Sequence, residues 1–362
     1  MALKIGIVGM RGIGNTHAAA HSKDSLANIV AVCDVVKSRA DEGAAKYGVK
    51  AYYDLTEMLR NEELDIVDVT TGGIENGSWH FEPAMEAMDA GKHVLVEKPL
   101  SNDINEARQM VAKATKKKLY LGCNLNHYFT PPADRARKYI ADGEIGEFVY
   151  CLHKMGFSGG EPENYQAPKS PKTKGWQYWH LKAFLSHPFS VMRNFCGDIT
   201  HVQAFVDRPG YRRRVDDAML SIAGISVRFA NGAVGYLLSQ RGDAPFGLGG
   251  WWSVEVAGTR GTFCIENCVE KITYWSSKAP DKPVVEKSGL TDFGETFPMR
   301  LHAFLEDVTN GVHPELLRAS GRDALAALEY TWAVIESYEQ GGAMVRPHPL
   351  PPLHGDPATW ID

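Results

Sequence analysis

Lys4-Ile5-Gly6-Ile7-Val8-Gly9-Met10-Arg11-Gly12-Ile13-Gly14 is the stretch that decides the fold of this chain. An apolar strand runs straight into a glycine-rich turn, and a helical pattern follows. Glycine permits the tight turn and lets backbone N–H groups approach a pyrophosphate. The pyrophosphate then sits at the positive end of the helix. The G-x-G-x-x-G spacing is kept in part. With Gly9 first and Gly14 last, Arg11 stands where the second glycine belongs, and Gly12 is displaced by one. Two readings stand: the loop shifts, or Arg11 itself pairs with phosphate. Gly9, Arg11, Gly12, Ile13 and Gly14 are the candidate dinucleotide contacts. About twenty residues on, Asp34 closes the next strand. A carboxylate there accepts from both ribose hydroxyls of NAD and repels the 2′-phosphate of NADP. Lys37 and Arg39, just beyond, pull the other way, so NAD is expected and NADP is not excluded.

Outward from this turn, strands and helices alternate. Strands are expected at 4–9, 28–34, 66–70, 93–96 and 119–123. Helices are expected at 14–25, 38–47, 55–60, 81–90 and 104–116, with Gly91 as a C-terminal stop. This spacing means βαβ units and a doubly wound parallel sheet with helices on both faces. The second half differs. After a helix over 133–140, alternating runs at 148–155, 199–206, 218–229, 234–240, 252–257, 262–266 and 271–275 predict a large open antiparallel or mixed sheet. Asn231-Gly232 marks a hairpin, and helices are expected at 301–309 and 324–339. The chain is thus α/β: a parallel-sheet domain over 1–125, an α+β domain over 126–346, and a Pro-rich tail over 347–362. The Gly-, Pro- and Lys-rich segment 158–174 and the tail read as loops.

Composition sets limits. The chain has 362 residues, 39 basic and 44 acidic side chains, and a formal net charge of −5, which argues against nucleic acid or an anionic membrane as partner. With 44% hydrophobic and 23% charged residues, it is an ordinary globular composition. No run approaches the roughly 20 apolar residues of a membrane span. Met1 leads at once into the first strand, so no signal peptide is expected; the scattered cysteines make a reducing cytoplasm the expected location. Cys33, Cys123, Cys151, Cys196, Cys264 and Cys268 show no disulfide framework. Cys264 and Cys268 lack a second pair, and no metal site is expected.

His93-Val94-Leu95-Val96-Glu97-Lys98-Pro99 delivers a Glu-Lys pair at the C-terminal end of a buried strand. Ligands of parallel sheets bind at that edge. An ammonium there can favour alkoxide character in a substrate hydroxyl during hydride loss. The alternative is a plain surface ion pair.

The run Ala90-Gly91-Lys92-His93-Val94-Leu95-Val96-Glu97-Lys98-Pro99-Leu100 resembles the signature of the Gfo/Idh/MocA family (glucose–fructose oxidoreductase, inositol dehydrogenase, rhizopine catabolism). Ala31-Val32-Cys33-Asp34, Gly143-Glu144-Ile145-Gly146 and Val256-Ala257-Gly258-Thr259-Arg260-Gly261-Thr262 agree with it. The resemblance implies an N-terminal Rossmann domain and a C-terminal domain whose open sheet builds homodimers or homotetramers. It also implies NAD(P)-dependent oxidation or reduction of a sugar, sugar derivative or cyclitol. By the same resemblance Lys98 and His187 are catalytic. Thr71, Gly72, His80, Glu97, Lys98 and Asn126 join the cofactor contacts. His127 and Tyr128 stand where basic residues are frequent in the family and are expected at the substrate.

The main departure lies in His180-Leu181-Lys182-Ala183-Phe184-Leu185-Ser186-His187. The family places an aspartate four residues before the catalytic histidine, where this chain has Ala183. Ser190 replaces another common aspartate. His180 or Lys182 is expected to fill the vacant polar space. Trp176, Tyr178 and Trp179 supply aromatic faces suited to sugar C–H surfaces, so Trp176, Tyr178, His180, Lys182 and His187 complete the substrate set. Arg212-Arg213-Arg214 reads as a solvated loop. Two further functions remain open: a redox-neutral glycosidase or lyase acting through a transient keto-sugar, and a non-catalytic nucleotide sensor.

Overall fold

The computed structural model describes residues 2–157, 162–169, 175–245, 247 and 250–353. Much of the loop expected over 158–174 and of the tail expected over 347–362 therefore lies outside the described residues. In chain order the N-terminal elements are β1 (Leu3–Val8), α1 (Gly12–His21), β2 (Ala27–Cys33), α2 (Lys37–Tyr47), β3 (Lys50–Tyr52), α3 (Leu55–Asn61), β4 (Ile66–Val69), α4 (Phe81–Asp89), β5 (His93–Val96), α5 (Ile104–Lys117) and β6 (Leu121–Cys123). There follow α6 (Pro131–Ala141), β7 (Phe148–Met155), α7 (Trp179–Phe184), α8 (Ser186–Cys196), β8 (Ile199–Asp207), α9 (Gly210–Arg214), β9 (Ile222–Phe229), β10 (Val234–Gln240), β11 (Trp252–Gly258), β12 (Gly261–Glu266), β13 (Lys271–Ser276), β14 (Ala279–Lys287), α10 (Thr296–Thr309) and α11 (Gly321–Glu339).

The chain divides into two compact units. One takes in the chain up to Asn126, together with Thr296–Ala326 and the described residues from Leu350 on. The other is His127–Glu295 with Ala327–Pro349. The units are thus discontinuous, where the sequence reading drew contiguous stretches. The cause is visible in the first unit: α10 packs its Leu301, Phe304 and Leu305 into the same core as Ile5, Ile7, Val32 and Leu95. A periodic helix pattern tells that a helix has an apolar face, not which sheet that face will cover.

The first unit is a six-stranded parallel sheet in the order β3-β2-β1-β4-β5-β6. β4 and β5 are buried along their whole length or nearly so, as expected of strands covered on both faces. Asp54 caps α3 through Glu57 N–H, and Asp103 caps α5 through Asn105 and Glu106 N–H. The order reverses between β1 and β4, the place where doubly wound sheets open a crevice.

The second unit carries an eight-stranded mixed sheet, β14-β13-β12-β11-β7-β10-β9-β8, in which only β7 and β10 pair in parallel among the described residues. Asn231-Gly232 turns β9 into β10: Gly232 has φ +93°, and Asn231 Oδ1 accepts from Ala233 N–H at 3.1 Å. Leu152, Val234 and Tyr236, with Glu255 and Cys264, lie on exposed or half-buried positions of its open face.

Several expectations need correction. The first helix begins at Gly12 and ends at His21, not 14–25, because Gly14 sits inside the helix's first turn rather than at its start. β3 and β14 were not expected. β3 is only three residues long, and β14 is exposed along most of its length and interrupted by proline. α7 and α8 were also missed, since their aromatic, histidine-rich sequence has no clean apolar stripe. Arg212 is not solvated. It is buried, with ion pairs to Asp217 at 3.0 Å and Asp243 at 2.6 Å. Burial opposes its charge, but these carboxylates outweigh it and raise its pKa. Asp216 takes φ +53° between Arg212 and Asp217, a local chain reversal that sequence spacing does not show.

Candidate functional site

Strand register brings the expected residues of the first unit to one edge. Val8 pairs with Cys33 and Val69, Val69 with Val96, and Val96 with Cys123. Gly9, Asp34, Thr70, Glu97 and Asn124 each follow one of these strand ends and so emerge side by side.

The turn after β1 has the shape a dinucleotide requires. Gly9 has φ +97°, and a Cβ on it would lie 2.9 Å from Thr71 N. A Cβ on Gly14 would lie 1.8 Å from Gly9 O. Gly12, by contrast, faces open space. Arg11 is exposed and makes no cap hydrogen bond at the head of α1; Ile13 is 41% exposed. The helix thus offers its first N–H groups with room above Gly12. Asp34 accepts Met10 N–H on Oδ2 and Val36 N–H on Oδ1, each at 2.8 Å. Each oxygen keeps a lone pair for a further donor. Arg39 stands 4.0 Å from Asp34, while the Lys37 ammonium lies over the Tyr53 ring.

Thr71 Oγ1 donates to Trp79 O at 2.6 Å, and Gly72 faces open space. The glycine-rich segment after β4 folds back on itself through Gly77 N–H to Gly72 O. A Cβ on Gly77 would lie 2.8 Å from Pro99 Cγ, so the segment packs directly on the residue after Lys98. His80, buried at the head of α4, donates from Nδ1 to Pro99 O at 2.8 Å. Burial is the largest influence on His80 and holds its pKa below the ordinary value, so the ring is neutral. Lys98 itself is half-buried, and its backbone N–H donates to Glu97 Oε2 at 3.1 Å. Asn126 donates to Thr296 Oγ1 at 3.0 Å, while its Oδ1 is buried without a hydrogen-bond partner among the described residues. An open space over Gly12, lone pairs on Asp34 and an orphaned acceptor on Asn126 are what a dinucleotide would use.

Comparison with known proteins agrees with this geometry. The family model described as "Oxidoreductase family, NAD-binding Rossmann fold" matches residues 3–125, and the "GFO/IDH/MocA C-terminal domain" matches residues 133–264. The chain belongs to the Gfo/Idh/MocA family. NAD is accordingly its cofactor, bound by the Rossmann unit. Among relatives of this Gfo/Idh/MocA chain, myo-inositol 2-dehydrogenase of Thermotoga maritima is 25% identical over 350 residues, covering 93% of this chain and 97% of the relative. Levoglucosan dehydrogenase of Pseudarthrobacter phenanthrenivorans is 25% identical over 300 residues, 72% of each chain. An NAD-binding oxidoreductase from Klebsiella pneumoniae shares the fold at a TM-score of 0.85, with 22% identity over 96% of this chain and 100% of that one.

The second unit gathers a group of rings. His127 stacks on Trp252 with centroids 3.9 Å apart and planes 3° from parallel, and on Phe293 at 4.8 Å. His187, in the first turn of α8, stands edge-on to His127 at 4.8 Å. His153 of β7 meets the same Trp252 edge-on at 4.6 Å. Trp252, Phe293 and His153 were missed by sequence reasoning, because nothing local ties β7, β11 and the turn before α10 together.

The rest of the expected substrate set is engaged elsewhere. His180 is buried, with Nε2 3.1 Å from Ser239 Oγ, and burial holds its pKa down to about 3. Tyr178 donates to Glu339 at 2.7 Å, and the Lys182 ammonium lies over Trp332, both on α11. The expectation that His180 or Lys182 fills the space left by Ala183 is therefore replaced. A helix of period 3.6 sends positions 180 and 182 in different directions, here toward β10 and α11. Trp176 packs against Trp179, with centroids 5.9 Å apart. Tyr128 is buried beside Phe129.

Proposed function

We propose that this protein is an NAD-dependent dehydrogenase that oxidises a ring hydroxyl of a sugar, sugar derivative or cyclitol, or reduces the corresponding ketone. The observation that carries the reading is the shared strand edge: the Glu97-Lys98 pair leaves β5 at the edge where the glycine turn leaves β1 and Asp34 leaves β2. The names of the relatives, an inositol dehydrogenase and a levoglucosan dehydrogenase, supply the substrate class.

NAD, when bound, accepts the carbon-bound hydrogen as hydride. The Lys98 ammonium hydrogen-bonds the reacting hydroxyl oxygen and stabilises its developing negative charge. His187 takes the hydroxyl proton, in the neutral form a general base requires. Pro99, held by His80 and the glycine-rich segment, and Glu97, held on its other side, fix the backbone around Lys98, so the ammonium starts from a narrow range of positions. Asp34 selects NAD over NADP. The open face of the eight-stranded sheet is assigned to self-association as a homodimer or homotetramer.

The deciding experiment follows reduced-nicotinamide absorbance with NAD and a panel of inositols, levoglucosan, aldoses and glycosides. A substrate-dependent rise supports the dehydrogenase. Product formation with a flat trace would move the assignment to a redox-neutral lyase.

A further inference from the structure

Beneath the site, the first unit buries a cluster of titratable groups that the steps above do not use. Asp68 is fully buried in the middle of β4, between Val67 and Val69. Its Oδ2 receives His17 Nδ1 at 2.8 Å and His21 Nε2 at 3.0 Å, both from α1. Its Oδ1 has no hydrogen-bond partner among the described residues. His17 Nε2 lies 3.1 Å from Glu97 Oε1, and the Asn124 amide donates to the same oxygen. Glu97 Oε2 then accepts the N–H of Lys98. A continuous path therefore runs Asp68–His17–Glu97–Lys98.

We propose that Asp68 and His17 are positioning residues for Lys98, with His17 held as an imidazolium between two carboxylates so that Glu97 stays fixed against the Lys98 backbone. The inference rests on the assignment of Lys98 to the reacting hydroxyl. With both ring nitrogens within hydrogen-bond distance of a carboxylate oxygen, the ring satisfies both only by donating twice. Burial opposes protonation, but Asp68 and Glu97 outweigh it and raise the His17 pKa to about 10. A lone carboxylate inside a parallel strand would cost far more than the leucine or valine that fits there. Burial opposes the ionised form of Glu97, and His17 and Lys98 are the cations that favour it. If His17 loses its proton, Lys98 becomes the cation that must compensate Glu97, and its ammonium is drawn from the substrate. The groups facing His17 are Asp68 from β4, Glu97 from β5, His21 from α1, Asn124 after β6 and the uncharged Phe297 ring from α10.

The test uses full-length wild type, Lys98→Met, Asp68→Asn and His17→Gln. Turnover is assayed with NAD and either myo-inositol or levoglucosan from pH 6 to 9, and NADH affinity by fluorescence. Lys98→Met should lose at least about a thousandfold in kcat; wild-type turnover there would overturn the Lys98 assignment and, with it, the inference. Asp68→Asn should lower kcat about tenfold or more at pH 8.5, with KM and NADH affinity within about threefold. The ratio of its kcat to that of wild type at the same pH should recover as pH falls toward about 6, where an unassisted imidazole regains its proton. An inactive Lys98→Met beside an Asp68→Asn of unchanged kcat and pH profile overturns the proposal. His17→Gln, which cannot regain a charge, should show the loss without the recovery, and it stands in for Asp68→Asn should the latter not fold. If neither substrate turns over, the methyl resonance of reductively 13C-methylated Lys98, assigned by its absence from Lys98→Met, replaces kcat: it should shift in Asp68→Asn. In wild type at pH 8, 15N NMR should show both His17 ring nitrogens protonated; a neutral ring overturns the proposal whatever the variants do.

Discussion

The His80 imidazole at the head of α4 holds the backbone that follows Lys98, with Nδ1 2.8 Å from the Pro99 carbonyl oxygen. His80→Ala leaves that buried carbonyl without its donor, a loss of about 1–3 kcal/mol of stability by urea denaturation. His80→Asn, which keeps a donor amide, should recover part of it. On the proposed mechanism, kcat should follow the same order: wild type, then Asn, then Ala.

Gly12 and Gly14 separate folding from binding. A Cβ on Gly12 meets nothing within 4 Å, so Gly12→Ala should leave the thermal midpoint nearly unchanged. The same methyl would stand where the pyrophosphate approaches, so NADH affinity should fall about tenfold or more. Gly14→Ala brings Cβ to 1.8 Å from Gly9 O and should lower both midpoint and affinity. Unimpaired NADH binding by Gly12→Ala would remove the glycine turn as the pyrophosphate site.

Asp34 receives two backbone N–H groups and has lone pairs left for ribose. Asp34→Asn keeps the shape and drops the charge. The ratio of kcat/KM for NAD to that for NADP should fall about tenfold or more, chiefly by relief of repulsion toward the 2′-phosphate. An unchanged ratio would assign cofactor choice to other residues.

Two buried histidines should shape stability on opposite sides of neutrality. Burial lowers the His153 pKa to about 3. The unfolded chain binds that proton near pH 6.5 and the folded one does not, so stability is full above about pH 6.5 and falls toward pH 3. The slope is about 1.4 kcal/mol per pH unit for this residue. His153→Phe should flatten the acid branch of chemical denaturation curves. His17 has the opposite sign: its pKa is raised to about 10, so its contribution is full below about pH 6.5 and is lost as pH rises toward 10. His17→Gln should flatten the alkaline branch, and an alkaline branch as steep as wild type would contradict its pairing with Asp68 and Glu97.

The parallel sheet, the glycine turn, Asp34 and Lys98 were legible in the sequence because each depends on local order: strand, turn and helix follow within a few residues, and a strand end fixes where its next residue emerges. The same holds for the Asn231-Gly232 hairpin. Side-chain direction was not legible. His180, Lys182 and Tyr178 share one short segment, yet helix phase sends the first to Ser239 and the others to Trp332 and Glu339 on α11. His17, His21 and Asp68 gave no signal at all, since a histidine on a helix and an aspartate in a strand are ordinary until the sheet brings positions 17, 68 and 97 together. The sequence by itself thus determined the Rossmann architecture and the sheet edge that carries the glycine turn, Asp34 and the Glu97-Lys98 pair, because those follow from contacts close along the chain. Only the tertiary structure decided which buried charges lie behind Lys98 and which rings surround His187, because packing, not periodicity, sets contacts between residues far apart in sequence.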